Sequence, residues 1–274
     1  MNLHLSTAVG LFLLSWVCPP AIGADIYRSG KWMVIEGEIR PGDFETFKNL
    51  TASALSAIEG TVYLASPGGN VAEAMKIGLL VRKLRWTTFA PIRHSDPAVE
   101  RGLAEGVGLR NVERNNVCAS ACFMIFVAGA QRLGSKLGIH RPYFGAGYLR
   151  SAEGDEVVDQ AKRGVQIVEA YLRDMDIPPK YAELMFQVPK DEIKWLTREE
   201  QEDIQTLIPG LHDWIESKCG LDPHHPRIKP RRGATNAEFE KWGTYFEKHS
   251  NCRSEALQEM RVSAWIKYRK EEKK

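Results

Sequence analysis

Two rhythms of apolar and polar positions alternate along this chain. Residues 32–36 form a short, nearly unbroken apolar run that stops at Gly37, the length and composition of a buried strand. Phe44, Phe47, Ala54, Leu55 and Ile58 then follow helical spacing, with Pro41-Gly42-Asp43 as a start signal and Gly60 as a stop. A β-rich run at 61–64 ends at Ser66-Pro67-Gly68-Gly69. Val71, Ala74, Met75, Gly78, Leu79 and Arg82 return to helical spacing, and 87–89 reads as a further strand closed by Pro91. Strand and helix alternating at these lengths predict an α/β fold with a mostly parallel sheet.

The rhythm breaks at 92–116, a polar stretch containing Gly102, Gly106, Gly108 and Pro97. It reads as an insertion with a short helix near 99–103, either a lid or binding loop or a plain surface excursion. Residues 120–130 have almost no polar face and are too few to span a membrane, so they predict a helix buried in the core. Residues 133–139 are strand-like and deliver His140 at their end, with Arg132 and Lys136 read as surface positions. A long helix is predicted over 155–174, a second over 181–186, and a capping-box start at Thr197 to Glu200. Beyond about residue 214 the composition changes. Residues 219–233 are a Pro- and His-rich loop, in which His224 and His225 read as solvated rather than metal-binding. Residues 237–269 form a polar helix anchored by Trp242, Phe246, Leu257, Met260, Val262 and Trp265.

The amino end differs from the rest. An apolar core at 8–17 is broken by Pro19-Pro20, and Ala21-Ile22-Gly23 offers small residues for cleavage before Ala24. The organisation expected is therefore a signal peptide at 1–23, a main domain at 24–214 carrying the 92–116 insertion, and a helical extension at 215–274. The product is expected in the periplasm or secreted. An uncleaved anchor is the alternative, because the amino end lacks Lys and Arg. With 37 basic against 35 acidic residues, the net charge of +2 suggests no nucleic-acid surface. Of the five cysteines, Cys18 lies in the leader. Cys219 and Cys252 flank the polar C-terminal segment and are expected to be bonded. Cys118 and Cys122 read as two small buried hydrophobes, with a bond between them as the alternative that would stiffen the intervening turn.

That turn carries the candidate chemistry. Ser120 lies between alanines where a strand becomes an apolar helix, a place that can hold a hydroxyl beside helix N-terminal N–H groups. A serine hydroxyl needs a base to become a nucleophile, and His140 at a strand end is the candidate. Gly68 and Gly69, with the N–H of Ala121 beside the serine, can present donors to an oxyanion.

Taken together, these segments resemble the Clp-protease proteolytic-subunit family within the ClpP/crotonase superfamily, over roughly residues 32–210. Ser66-Pro67-Gly68-Gly69 is similar to its glycine turn, and Ala119-Ser120 followed by Ala128-Gly129-Ala130 to its nucleophile helix. Ile139-His140-Arg141-Pro142 is similar to its histidine segment, and Trp195-Leu196-Thr197 with Glu199-Glu200 to a late helix start. The resemblance is closest to exported, stand-alone members. It implies a ClpP/crotonase-like spiral of ββα units with a C-terminal helical extension. It also implies Ser120 as nucleophile, His140 as base, an oxyanion hole at Gly68, Gly69 and Ala121, and a peptide laid as an added strand along Asn70, Val71, Pro142 and Tyr143. Three features depart from the family pattern. The Ser120-to-His140 spacing is somewhat short, and residues 92–116 are extra. The position corresponding to the acid is Ile193, leaving Asp191 or Glu192 to fill the role from a shifted backbone, or a Ser/His dyad.

The function expected is an exported serine peptidase cleaving short or unfolded peptides through an acyl-enzyme. It would use no cofactor, no metal and no nucleotide-driven partner, and the resemblance implies a homo-oligomer. The rivals are a non-catalytic scaffold of the same fold and a crotonase-type acyl-thioester enzyme.

Overall fold

The computed structural model describes residues 23–52, 60–142, 155–204 and 206–273. Residues 1–22 of the expected signal peptide (1–23), the predicted helical positions Ala54, Leu55 and Ile58, and Tyr143 lie outside the described residues.

The first sheet begins with an antiparallel hairpin that the sequence pattern did not predict, β1 (Asp25–Ser29) against β2 (Trp32–Glu36). From β2 onward it is parallel, through β3 (Thr61–Ala65), β4 (Thr87–Phe89) and β6 (Gln131–Leu133), in the order β1-β2-β3-β4-β6. Side chains alternate along each strand, so the sheet has two faces to cover. Met33, Ile35, Val62 and Leu64 join one core with Phe47 of α1 (Asp43–Thr51), Ile77 and Val81 of α2 (Val71–Lys83) and Phe123 of α5 (Ala121–Val127). Val34, Tyr63 and Ala65 join a second core with Ala104, Val107 and Leu109. Those last residues come from the insertion, which forms α3 (Pro97–Val107) and α4 (Val112–Asn115). It is therefore no surface excursion: it closes the second face, where each fully buried aliphatic side chain stabilises by roughly 1.5–3 kcal/mol.

The strand-like run 133–139 divides between two sheets. Gly134 adopts φ +122° and packs so closely that a Cβ there would lie 2.3 Å from the Ala90 carbonyl oxygen. The chain leaves the first sheet after Leu133 and enters a second, formed by β5 (Cys118–Ala119), β7 (Leu137–Ile139) and β8 (Lys194–Trp195). Ser66 links the sheets: its N–H donates to the Val117 carbonyl at 2.8 Å, and its carbonyl accepts from the Ala119 N–H at 3.0 Å. The reading of Arg132 as a surface residue is corrected. Arg132 is buried, its guanidinium donating to the carbonyls of Ile204 and Met175 at 2.8 and 2.6 Å, and burial pushes its pKa down to about 10.

Helices α6 (Asp155–Asp174), α7 (Lys180–Gln187) and α8 (Arg198–Asp203) complete the body. The predicted capping box is present at the start of α8, where Thr197 and Glu200 satisfy each other's backbone N–H groups. The C-terminal extension is α9 (Leu211–Cys219) and the long α10 (Asn236–Glu271), joined by the Cys219–Cys252 disulfide. It is docked rather than loose. Leu257 packs with Leu211 and Ile215, and the Trp265 indole donates to the Thr51 carbonyl at 3.2 Å. The protein is thus a mixed α/β chain with a C-terminal helical extension. Among the described residues no helix is long and apolar enough to cross a membrane.

Candidate active site

Ser120 joins β5 to α5 in a backbone conformation that side chains rarely adopt, φ 56° and ψ −123°. Such a conformation costs on the order of 1–3 kcal/mol and persists only where the surroundings impose it. It also changes what the hydroxyl does. A serine before a helix ordinarily caps it from an extended conformation. Here the side chain makes no capping hydrogen bond, and the hydroxyl faces a cleft of about 480 Å³. The helix following it, Ala121–Val127, is buried throughout.

The reading of Cys118 and Cys122 as separate buried thiols is corrected by the same turn. They are disulfide-bonded, with Cα atoms 5.2 Å apart. The fold-back at Ser120 brings the two positions within the separation a disulfide can bridge. The bond therefore brackets Ser120 from both sides.

The glycine turn lines the same cleft, close against Ser120. Ile39 pairs with it through two backbone hydrogen bonds: its N–H donates to the Gly68 carbonyl and its carbonyl accepts from the Asn70 N–H, both at 2.7 Å. These bonds flank Gly69 and leave its own N–H aimed away from Ile39. Both glycines are sterically required. Gly68 has φ +115°, and a Cβ on it would lie 2.5 Å from the Ser120 Cβ; Gly69 has φ +130°, and a Cβ there would meet the Ile39 carbonyl oxygen at 2.1 Å. Of the three expected oxyanion donors, the Gly68 N–H is already engaged, donating to the Ser66 hydroxyl at 3.1 Å. Among the described residues, the N–H groups of Gly69 and of Ala121, the first residue of α5, meet no protein acceptor.

His140 follows β7 and lines the same cleft as Ser120, Gly68, Gly69, Val71 and Asp191. Its Nδ1 lies 3.0 Å from the Arg141 carbonyl oxygen. A carbonyl only accepts, so this contact is a hydrogen bond in the tautomer with the proton on Nδ1, which leaves Nε2 as the basic nitrogen. Asp191 is in the cleft wall; Glu192 is exposed and does not line it. Ile193 packs toward Gly138, where a Cβ would lie 2.6 Å from the isoleucine methyl.

No protein-family model matches the chain, and no curated protein sequence matches it. Solved structures do. ClpP1 from Listeria monocytogenes is similar at 16% identity over 65% of this chain and 88% of that chain, with a TM-score of 0.41. A point mutant of the same protein matches over the same shares at a TM-score of 0.39. A point mutant of a membrane-bound stomatin-specific protease is similar at 15% identity over 69% of this chain and 83% of that chain, with a TM-score of 0.41. The likeness is one of fold alone.

The expected peptide-binding positions fare unequally. Asn70 has no backbone group left for an added strand: its N–H is bound to Ile39, its carbonyl accepts from the Ala74 N–H at 3.1 Å, and its side chain caps α2 by accepting from the Glu73 N–H at 2.9 Å. These bonds hold the turn. Val71 lines the cleft, and Pro142 is buried just beyond His140.

Sequence reasoning missed Glu38, Arg114 and Lys190, which also line the cleft, and it missed Glu36, which holds the insertion in place. Glu36 is buried at 2% exposure. Its carboxylate accepts from the N–H groups of Arg110 (2.8 Å) and Asn111 (2.6 Å), the Tyr27 hydroxyl (2.7 Å) and the Asn115 side-chain amide (3.3 Å). The signal available was a carboxylate ending an apolar strand run. Burial pushes the Glu36 pKa up, but these four donors outweigh it and hold it below the usual carboxylate value. The resulting stabilisation is present above the unfolded pKa of about 4.3 and is lost as pH falls through the lower folded value. Glu36→Gln should therefore destabilise the protein by about 2 kcal/mol at pH 7, the scale of hydrogen bonds to a charged group. The difference in unfolding midpoint between the Glu36→Gln variant and the wild-type protein should shrink as the pH is taken below about 4. A gap that stays constant from about pH 7 to about pH 3 would show that Glu36 is not the anchor.

Proposed function

We propose that this chain is an exported serine peptidase that cleaves short or unfolded peptides through an acyl-enzyme, without nucleotide, as a homo-oligomer. The observation that carries the reading is Ser120 itself: a strained, uncapped serine at the start of a buried helix, sharing one cleft with His140 and Gly69, whose N–H is unpaired among the described residues, and followed directly by the unpaired N–H of Ala121. In this reading Nε2 of His140 takes the Ser120 proton as Oγ attacks the peptide carbonyl. The N–H groups of Gly69 and Ala121 meet the oxyanion, a contribution of about 3 kcal/mol per donor in enzymes of this chemistry. His140 then protonates the departing amine, and water, deprotonated by the same imidazole, releases the acyl group. The Arg141 carbonyl orients the imidazole, which favours a Ser/His dyad, with Asp191 as the carboxylate in the cleft wall. Two disulfides support an oxidising compartment.

A fluorophosphonate probe tests the reading. It should label the folded protein on Ser120, label His140→Ala more slowly, and leave Ser120→Ala untouched. Absence of labelling on folded wild-type protein would leave the non-catalytic scaffold as the better description.

A further inference from the structure

Building on the peptidase reading, the geometry points to Arg114 as the residue that selects the substrate, favouring peptides that present a carboxylate next to the cleaved bond. Arg114 is supplied by the insertion. It lies on α4, between Asn111, whose side chain caps that helix by accepting from the Arg114 N–H at 3.2 Å, and the buried Asn115. Residues 110, 111 and 115 are all tied to the Glu36 carboxylate, so the short helix is fixed on both sides of Arg114. A guanidinium held on such a support loses less freedom on binding than one on a loose loop.

The charges are arranged by position along the cleft. His140, Lys190 and Asp191 line the cleft alone. Glu38, Pro67 and Arg114 also line a second, adjoining pocket of about 240 Å³, which identifies their end of the cleft as the one opening into it. At that end the acids are already satisfied. Glu38 pairs with Arg40 at 2.8 Å, Asp25 with Arg110 at 3.3 Å, and Glu36 is met by its four donors. Arg110 is further occupied by the Tyr27 ring, 4.0 Å from its centroid. Among the described residues lining this pocket, Arg114 is the arginine whose guanidinium holds no carboxylate in an ion pair. A planar fork of donors facing a cleft is suited to bidentate binding of a carboxylate. The adjoining pocket offers room for the short side chain that carries it. The carboxylate can be an Asp or Glu side chain or the free C-terminus of a short peptide.

The experiment uses the full-length protein and matched fluorogenic peptides. Each set carries Glu, Gln or Lys beside the cleaved bond, with the C-terminus free or amidated. Wild-type protein should cleave an acidic peptide with a kcat/KM at least about 3-fold above that of its Gln partner, the scale of a solvent-exposed charged pair. Arg114→Ala should bring that ratio close to one, and Arg114→Glu should reverse it in favour of Lys, with unfolding curves reporting that both variants fold. Preference that follows the side chain in amidated peptides assigns the carboxylate to Asp or Glu; preference that follows only the free terminus assigns it to the C-terminus. A wild-type protein that labels with fluorophosphonate yet cleaves Glu, Gln and Lys peptides alike, or an Arg114→Ala protein that keeps the preference, overturns the inference while the peptidase reading stands. Failure of labelling would instead remove the peptidase reading beneath it.

Discussion

Ser120→Ala should lower kcat for a cleaved peptide by on the order of 10⁴–10⁶ while leaving the unfolding midpoint nearly unchanged. Ser120→Gly should lose the same activity and become more stable, by about 1 kcal/mol. The two variants separate chemistry from strain. Alanine removes only the hydroxyl, which makes no capping bond, and it keeps the Cβ that disfavours φ 56°. Glycine removes the Cβ too. Relief of the backbone strain, roughly 1–3 kcal/mol, is then partly offset by about 0.4–1 kcal/mol from the greater freedom of glycine in the unfolded chain. A gain in stability accompanied by complete loss of activity marks a position held in an unfavourable conformation for its chemistry. Steady-state kinetics and thermal unfolding of the two purified variants measure this directly. Activity within about 10-fold of wild type in Ser120→Ala would remove Ser120 from the mechanism.

The paired variant Cys118→Ala/Cys122→Ala should lose about 2 kcal/mol of stability on the chain-entropy model and about 10²-fold in kcat. The first figure is small because the bond closes a short loop, at a sequence separation of 4. The second is large because that loop contains Ser120. With the bond gone, nothing covalent holds the fold-back, and an error of about 1 Å at the proposed nucleophile should cost on the order of 100-fold. The Cys219–Cys252 bond gives the contrast. At a separation of 33 it should contribute more to stability, about 4 kcal/mol on the same model, yet its removal should leave the rate alone, since it joins α9 to α10 outside the cleft. If deleting the remote bond slowed catalysis as much as deleting the near one, the bracket around Ser120 would have no special role.

Much of the architecture was legible because burial writes a period into the chain. Strands 32–36 and 87–89 and the helix 155–174 appear where the apolar spacing placed them. Errors arose where a single residue overrode the pattern. Run 133–139 read as one strand because Leu133, Leu137 and Ile139 fall on one side of a period of two, but Gly134 turns it from one sheet into the other. Arg132 looked superficial because arginine usually is, and its burial became evident only once the carbonyls of Ile204 and Met175 were seen to receive it. Hairpin strand β1 was missed because its side chains are only partly buried and carry little periodic signal.

The candidate site divides along the same line. Residue type and local order were enough to single out Ser120, His140 and the Gly68-Gly69 turn, because a nucleophile, a base and a side-chain-free backbone are chemical properties that individual residues carry with them. Several features depended instead on contacts that form only when the chain folds. Among them are the Cys118–Cys122 bond, the occupied N–H of Gly68, the backbone partner of the His140 ring, and the arrival of Arg114 at the cleft on a helix anchored by Glu36. A linear pattern records which groups are present and which face of an element they occupy. Only the folded chain determines which of those groups have already satisfied one another and which remain free to act.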